Sequence, residues 1–284
     1  MKKLWLFVWV FSPVLGLAQT KTLVPVVAWG APGAAGNRWN TELFLTNVGS
    51  RDVDVWLQAT LPLRLKASQR PCLPPVTPVR VAAWSTRVVY ASELNRWLGC
   101  PEEFVGGMVF EHGPGVRIAS RMTNTRGLTD EAGTRPLRGY SQEIPGIELS
   151  ALPGGEGAYL IPTLAWHPNP CEGGSEYDSY LYFANPGPED LTVRLLARPG
   201  TAFRFRLGEQ EVELPYALKV PAGRLVQVAL LPPLRPGAPC GASEFFDLLF
   251  VAEGRVGVLA SVVDRWANDA RTVMVTRDFL VESP

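Results

Sequence analysis

Glu42-Leu43-Phe44-Leu45-Thr46-Asn47-Val48-Gly49-Ser50-Arg51-Asp52-Val53-Asp54-Val55-Trp56-Leu57 is the stretch whose reading decides the fold class. Leu43 and Leu45 alternate with Glu42, Phe44 and Thr46, and Val53, Val55 and Leu57 alternate with Asp54 and Trp56. A hydrophobic period of two over short runs means strands with one buried face; a helix would repeat its apolar residues every 3.6 positions. Asn47-Val48-Gly49 lies between the runs and tolerates tight turning, which predicts a hairpin and therefore an antiparallel sheet.

The same passage is written twice. Pro25 to Ala59 returns, with conservative changes, from Pro162 to Ala197: Trp29 matches Trp166, Leu43 matches Leu181, Asn47 matches Asn185 and Gly49 matches Gly187. Val53, Val55 and Leu57 likewise match Leu191, Val193 and Leu195. A repeat distance of roughly 140 residues is too long for a solenoid unit and is the size at which a domain buries its own core. Further strands are expected at Val79–Val81, Thr86–Tyr90, Phe104–Phe110 and Val116–Thr123, answered by Leu218–Val220, Leu225–Leu230, Phe245–Val251 and Val256–Val263. Only Ser92–Trp97 reads as a helical turn. Short strands separated by Gly/Pro turns predict an all-β chain of two tandem antiparallel β-sandwich domains, at 19–149 and 158–284, joined by a short linker at 150–157. Gly 27 and Pro 26 among 284 residues fit that turn density.

Residues 1–18 stand apart. Met1-Lys2-Lys3 heads the apolar run Leu4–Phe11, and Gly16 and Ala18 offer a cleavage site before Gln19, the pattern of a secretory signal peptide. The run is too short for a stable bilayer anchor, no cysteine sits at the cleavage point to receive a lipid, and no later segment reaches transmembrane length. A secreted, periplasmic or cell-surface protein is expected. Lys+Arg and Asp+Glu are both 27, so nothing in the charge balance draws nucleic acid or anionic lipid.

In an exported chain four cysteines read as disulfides. Cys72 and Cys100 fall in the first copy, and Cys171 and Cys240 in the second, so the simplest pairing is Cys72 with Cys100 and Cys171 with Cys240. No Cys-x-x-Cys or paired His marks a zinc site, and no metal or cofactor is expected. The two histidines, His112 and His167, read as turn residues without a nucleophile elbow or a second His at helical spacing. Gly30–Gly36 is followed by a strand instead of a helix N-terminus and so reads as a loop, not a phosphate cradle. Glu172, Glu176 and Asp178 lack calcium-loop spacing. These features point away from an enzyme.

If the period-two leucines and valines face inward, Phe44 and Trp56 face outward, with Tyr180 and Tyr182 in the corresponding places of the second copy. Together with Trp266 they are the candidate binding-surface aromatics. Their alternative fate is burial under the other domain or under a loop. Thr201–Glu213, with Phe203 and Phe205 alternating with Arg204 and Arg206, reads as an extra hairpin or edge strand of the second copy.

The run Pro25–Trp29, the loop to Trp39-Asn40-Thr41-Glu42-Leu43, the Leu-x-Asn-x-Gly turn and the later Ile118-Ala119-Ser120-Arg121 resemble repeats of secreted and cell-surface bacterial proteins. In the second copy Val262 stands against Arg121 and Trp39 has no clear counterpart. The resemblance implies immunoglobulin-like or fibronectin-type sandwiches, generally without assigned activity. Three functions compete: a non-catalytic binding or structural protein that contacts another envelope or extracellular protein, a pair of glycan-binding modules using the outward aromatics, and a periplasmic assembly chaperone.

Overall fold

The structure is a computed structural model that describes residues 19–32, 38–63, 77–98, 103–125, 140–155, 157–166, 177–196, 204–207, 210–230, 244–264 and 269–277. Its N-terminal half runs β1 (Thr20–Trp29), β2 (Ala31–Pro32), β3 (Arg38–Asn47), β4 (Val53–Pro62), β5 (Val79–Val81), β6 (Ser85–Val89), α1 (Ala91–Leu98), β7 (Phe104–His112), β8 (Val116–Thr125), β9 (Tyr140–Pro145) and β10 (Ile147–Glu148). A 3-10 turn at Leu149–Ala151 leads to β11 (Tyr159–Trp166), β12 (Tyr177–Asn185), β13 (Leu191–Leu196), β14 (Arg204–Leu207), β15 (Gln210–Glu213), β16 (Tyr216–Val220), β17 (Arg224–Leu230), β18 (Glu244–Ala252), β19 (Gly257–Asp264), β20 (Asp269–Met274) and β21 (Thr276–Arg277). The chain is all-β, and among the described residues every strand pair is antiparallel.

Four sheets result. Sheet I is β10-β1-β7-β4-β5, and sheet II is β2-β3-β8-β9 with β6 also paired to β3. Sheet III is β15-β14-β17-β12-β19-β20, and sheet IV is β16-β13-β18-β11-β21. Sheet IV repeats the strand order of sheet I, and sheet III repeats that of sheet II with the hairpin β14–β15 added at its edge. The segment expected as an extra hairpin therefore forms one, with Phe205 of β14 opposite Leu230 of β17. The doubling extends to irregularities. The β1–β7 ladder slips between Val24 and Val27, at Pro25, and the β11–β18 ladder slips between Ile161 and Leu164, at Pro162. A proline cannot donate to a ladder and so occupies a bulge.

The hairpin expected at Asn47-Val48-Gly49 is not one. β3 lies in sheet II and β4 in sheet I, so this turn carries the chain across the core from one sheet to the other, as Asn185-Pro186-Gly187 does between β12 and β13. β3 finds its partners in β8 and β6 instead. The facing sheets enclose one core per half. Val24, Val55, Leu57 and Phe110 of sheet I meet Leu43, Leu45 and Ile118 of sheet II, and Phe183, Val228 and Val258 of sheet III meet Ile161, Leu195 and Phe250 of sheet IV.

A third apolar cluster joins the halves. Leu23, Leu61 and Val109 on the outer face of sheet I pack with Ala184, Leu225 and Leu259 on the outer face of sheet III, with Leu152 of the connecting segment among them. Sheet I is therefore an inner layer, and β1 is buried from Thr22 to Trp29 on both faces. At the edge of this junction, Gln142 of β9 and Ser261 of β19 are almost fully buried. The Ser261 hydroxyl donates to Gln142 Oε1 at 2.9 Å, Gln142 Nε2 donates to Thr272 Oγ1 at 2.8 Å, and the Thr272 hydroxyl donates to the Glu143 carbonyl at 2.6 Å.

Candidate functional site

The polar side chains that recur in both halves bond the backbone of neighbouring strands, the Thr41/Ser179 and Asn47/Asn185 pairs from the interior and the Asp52/Asp190 pair from the surface. Thr41 Oγ1 accepts the Ala28 N–H at 2.8 Å, and Ser179 Oγ accepts the Ala165 N–H at 3.0 Å, each tying a strand of one sheet to its facing sheet beside the bulge. Asn47 donates through Nδ2 to the Arg51 carbonyl at 2.8 Å and the Val81 carbonyl at 3.2 Å, while its Oδ1 accepts the Gly49 N–H at 2.8 Å. Asn185 repeats all three bonds with Glu189, Val220 and Gly187. Asp52 Oδ1 accepts the Ala83 N–H at 3.0 Å, and Asp190 Oδ1 accepts the Ala222 N–H at 2.8 Å. The Ala83 amide, followed by Arg80, holds the Asp52 carboxyl below its usual range. What the repeat preserves is a corner that joins three strands, and its polar atoms are occupied by backbone.

His112 is the last residue of β7, not a turn residue, and is buried. Nδ1–H donates to the Gly113 carbonyl at 2.8 Å, which leaves Nε2 to accept the Thr22 hydroxyl at 2.9 Å. His167, the four cysteines and their proposed pairings, the acidic pair Glu172 and Glu176, and Trp266 lie outside the described residues. So do Gly33–Gly36 of the glycine-rich loop and the signal peptide. Among the described residues no cluster of three or more His, Cys, Asp or Glu side chains is placed to hold a metal. No helix among them is long and apolar enough to cross a membrane.

The remaining candidate aromatics occupy three different faces. Phe44 lies on the outer face of sheet II under Arg121, whose guanidinium sits 5.4 Å from the ring centroid and also bonds Glu42. Trp56 lies on sheet I opposite Glu111 and is 37% exposed. Tyr180 and Tyr182 lie on sheet III, where the Tyr180 hydroxyl donates to the Asp178 carboxylate at 3.2 Å. Tyr182 packs into the junction with the N-terminal half, and burial followed by the neighbouring Tyr180 raises its phenol above the ordinary value. The outward strip expected from alternation is thus divided, and Tyr182 of its sheet III part is covered by the other half.

Three aromatics that the alternation did not single out are more exposed than any of these, one of them Phe245 of β18 at 58%. Trp84, in the turn between β5 and β6, is 73% exposed, and Tyr90, just after β6, is 53% exposed. Trp84 has φ +53°, a backbone region that bulky side chains avoid, and the second half places Gly223 at φ +63° in the equivalent turn. The signal available in the sequence was that substitution, a tryptophan where the sister turn has glycine. Separately, the junction leaves a cavity of about 600 Å³ lined by Leu149, Leu152, Pro186, Asp190, Glu253 and Arg255. Arg255 reaches from there to the Leu149 carbonyl at 3.1 Å, and the Val256 N–H reaches the Pro153 carbonyl at 2.9 Å.

Comparison of the chain with protein-family models, with curated proteins and with solved structures finds no match.

Proposed function

We propose that this chain is a non-catalytic, extracytoplasmic binding or structural protein, built as two tandem immunoglobulin-like sandwiches and acting through contacts with another protein. The observation that carries the reading is Trp84. A large apolar side chain is held in water, on a backbone conformation its sister turn reserves for glycine, at the rim of a rigidly cross-bonded frame. Strained, exposed aromatics belong where a partner supplies the missing contacts. The internal use of Thr41, Asn47, Asp52 and their counterparts supports the frame's role as a scaffold.

The signal-peptide pattern places the protein outside the cytoplasm in this reading. The test is cross-linking of the tagged protein in its own cell envelope, followed by co-purification, beside a glycan-array screen of the same material. A discrete protein partner whose yield falls in Trp84→Gly supports the proposal. Sugar binding without a protein partner, or a partner indifferent to Trp84, overturns it.

A further inference from the structure

The two halves differ at one sheet edge. In the second, β17 carries the added hairpin β14–β15, so an extra strand lies beside it. In the first, the equivalent strand β6 pairs only with β3 among the described residues. Val48 of the following turn sends its N–H to Gly115 on the β8 side. By alternation the odd-numbered residues of β3 face β6 and hydrogen-bond Ser85, Arg87 and Val89. Thr86 and Val88 therefore direct their backbone N–H and C=O away from β3, to the side where no described strand lies.

The same parity sets Thr86 and Val88 on the outer face of sheet II, beside Thr46 and Phe44. Trp84 and Tyr90 stand at the two ends of this edge, about 20 Å apart at strand spacing. Beyond Thr46 lies the exposed Arg117, so the face is positive next to the edge, while the charge of Arg87 is met by Glu93 at 2.7 Å.

We infer that the edge of β6 away from β3, unpaired among the described residues, binds an extended segment of another protein by strand addition, with Trp84 and Tyr90 gripping its ends; this rests on the binding-protein reading and names the surface and the kind of partner. The segment has apolar side chains at alternate positions to meet Val88 and the two aromatics, and a carboxylate placed toward Arg117. The second half supplies the precedent, since the equivalent edge of the same frame already accepts a strand.

The probe is a phage-displayed library of random dodecapeptides, selected on the purified full protein. Enriched peptides are expected to share apolar residues at period two with an acidic position, and to protect the Thr86 and Val88 amides from hydrogen exchange. Thr86→Pro removes an edge donor without breaking a ladder bond to β3, and lowers their affinity at least tenfold. Trp84→Gly provides a second variant, matched to Gly223, and also weakens them. Protection elsewhere, equal binding to both variants, or no enrichment over an unrelated control protein overturns the inference. A cross-linked envelope partner whose yield falls in Trp84→Gly but whose contacts leave the Thr86 and Val88 amides unprotected would overturn strand addition while leaving the binding-protein reading standing.

Discussion

At the scale of single residues, the side chains that look chemical are the ones the frame consumes. Asn47 is 1% exposed and satisfies carbonyls of two other segments, so Asn47→Ala strands those groups in the interior. Leaving buried acceptors unmet costs about 1–3 kcal/mol each, and a loss of at least about 2 kcal/mol is expected in urea denaturation for Asn47→Ala and for Asn185→Ala alike. Asp52 makes a prediction in pH. Its native carboxyl titrates below its unfolded value because Ala83 and Arg80 favour the charged form. The unfolded chain therefore binds the proton first, and the contribution is complete above the ordinary carboxylate range and lost as pH falls through the depressed native value. Melting curves of wild type and Asp52→Asn should diverge at neutral pH and converge in acid. Trp84 gives the opposite kind of result. Relief of a left-handed backbone, worth about 1–2 kcal/mol, outweighs the added chain entropy of glycine, about 0.4–1 kcal/mol. Trp84→Gly should melt no lower than wild type, whereas a buried tryptophan would lose several degrees.

At the scale of elements, the strands were legible and their pairing was not. Period-two alternation located β3, β4, β6, β8 and β17 because each shows one face to a core. It did not show that β3 and β4 face each other across that core, since a tight turn between two alternating runs has the same residues whether the strands pair or arch. The deciding fact is a distant one: the Asn47 amide reaches Val81 on the third strand. β1 was harder still, because Leu23-Val24-Pro25-Val26-Val27-Ala28-Trp29 is apolar without a break and has no alternation to read. A strand covered on both faces has that appearance. Register had its own limit. Sequence matching set Arg121 against Val262, but pairing to β3 and β12 sets it against Ser261, opposite Glu42 in one half and Tyr180 in the other. The candidate aromatics failed for a related reason. Alternation assigns each ring a side of its own sheet, and only the stacking of sheets decides whether that side meets water.

At the scale of the whole molecule, the junction explains why the stack has an inside and an outside face of different chemistry. Sheet III meets sheet I through Ala184, Gly257 and Leu259, and Ser261 beside them bonds Gln142 of β9; the same positions on the free face of sheet II are Thr46, Arg117, Ala119 and Arg121. Gly257 is the tightest of these, for a Cβ built there would lie 2.2 Å from Leu23 Cδ2. An arginine at that position, as in the sister sheet, leaves no room for Leu23, and the free face of sheet II is thereby unfit to repeat the junction with another unit. Gly257→Ala should lower stability by about 1–3 kcal/mol through overpacking, and Leu23→Ala, harmful by itself, should recover part of the loss when combined with it. Gly257→Arg goes further. Because Leu23, Leu225 and Leu259 share one cluster, the wild-type halves should unfold in one calorimetric transition; Gly257→Arg should separate them into two. Two transitions already present in the wild type would mean that the junction buries apolar area without coupling the halves, and that Leu152 and the Gln142–Ser261 bond only align them.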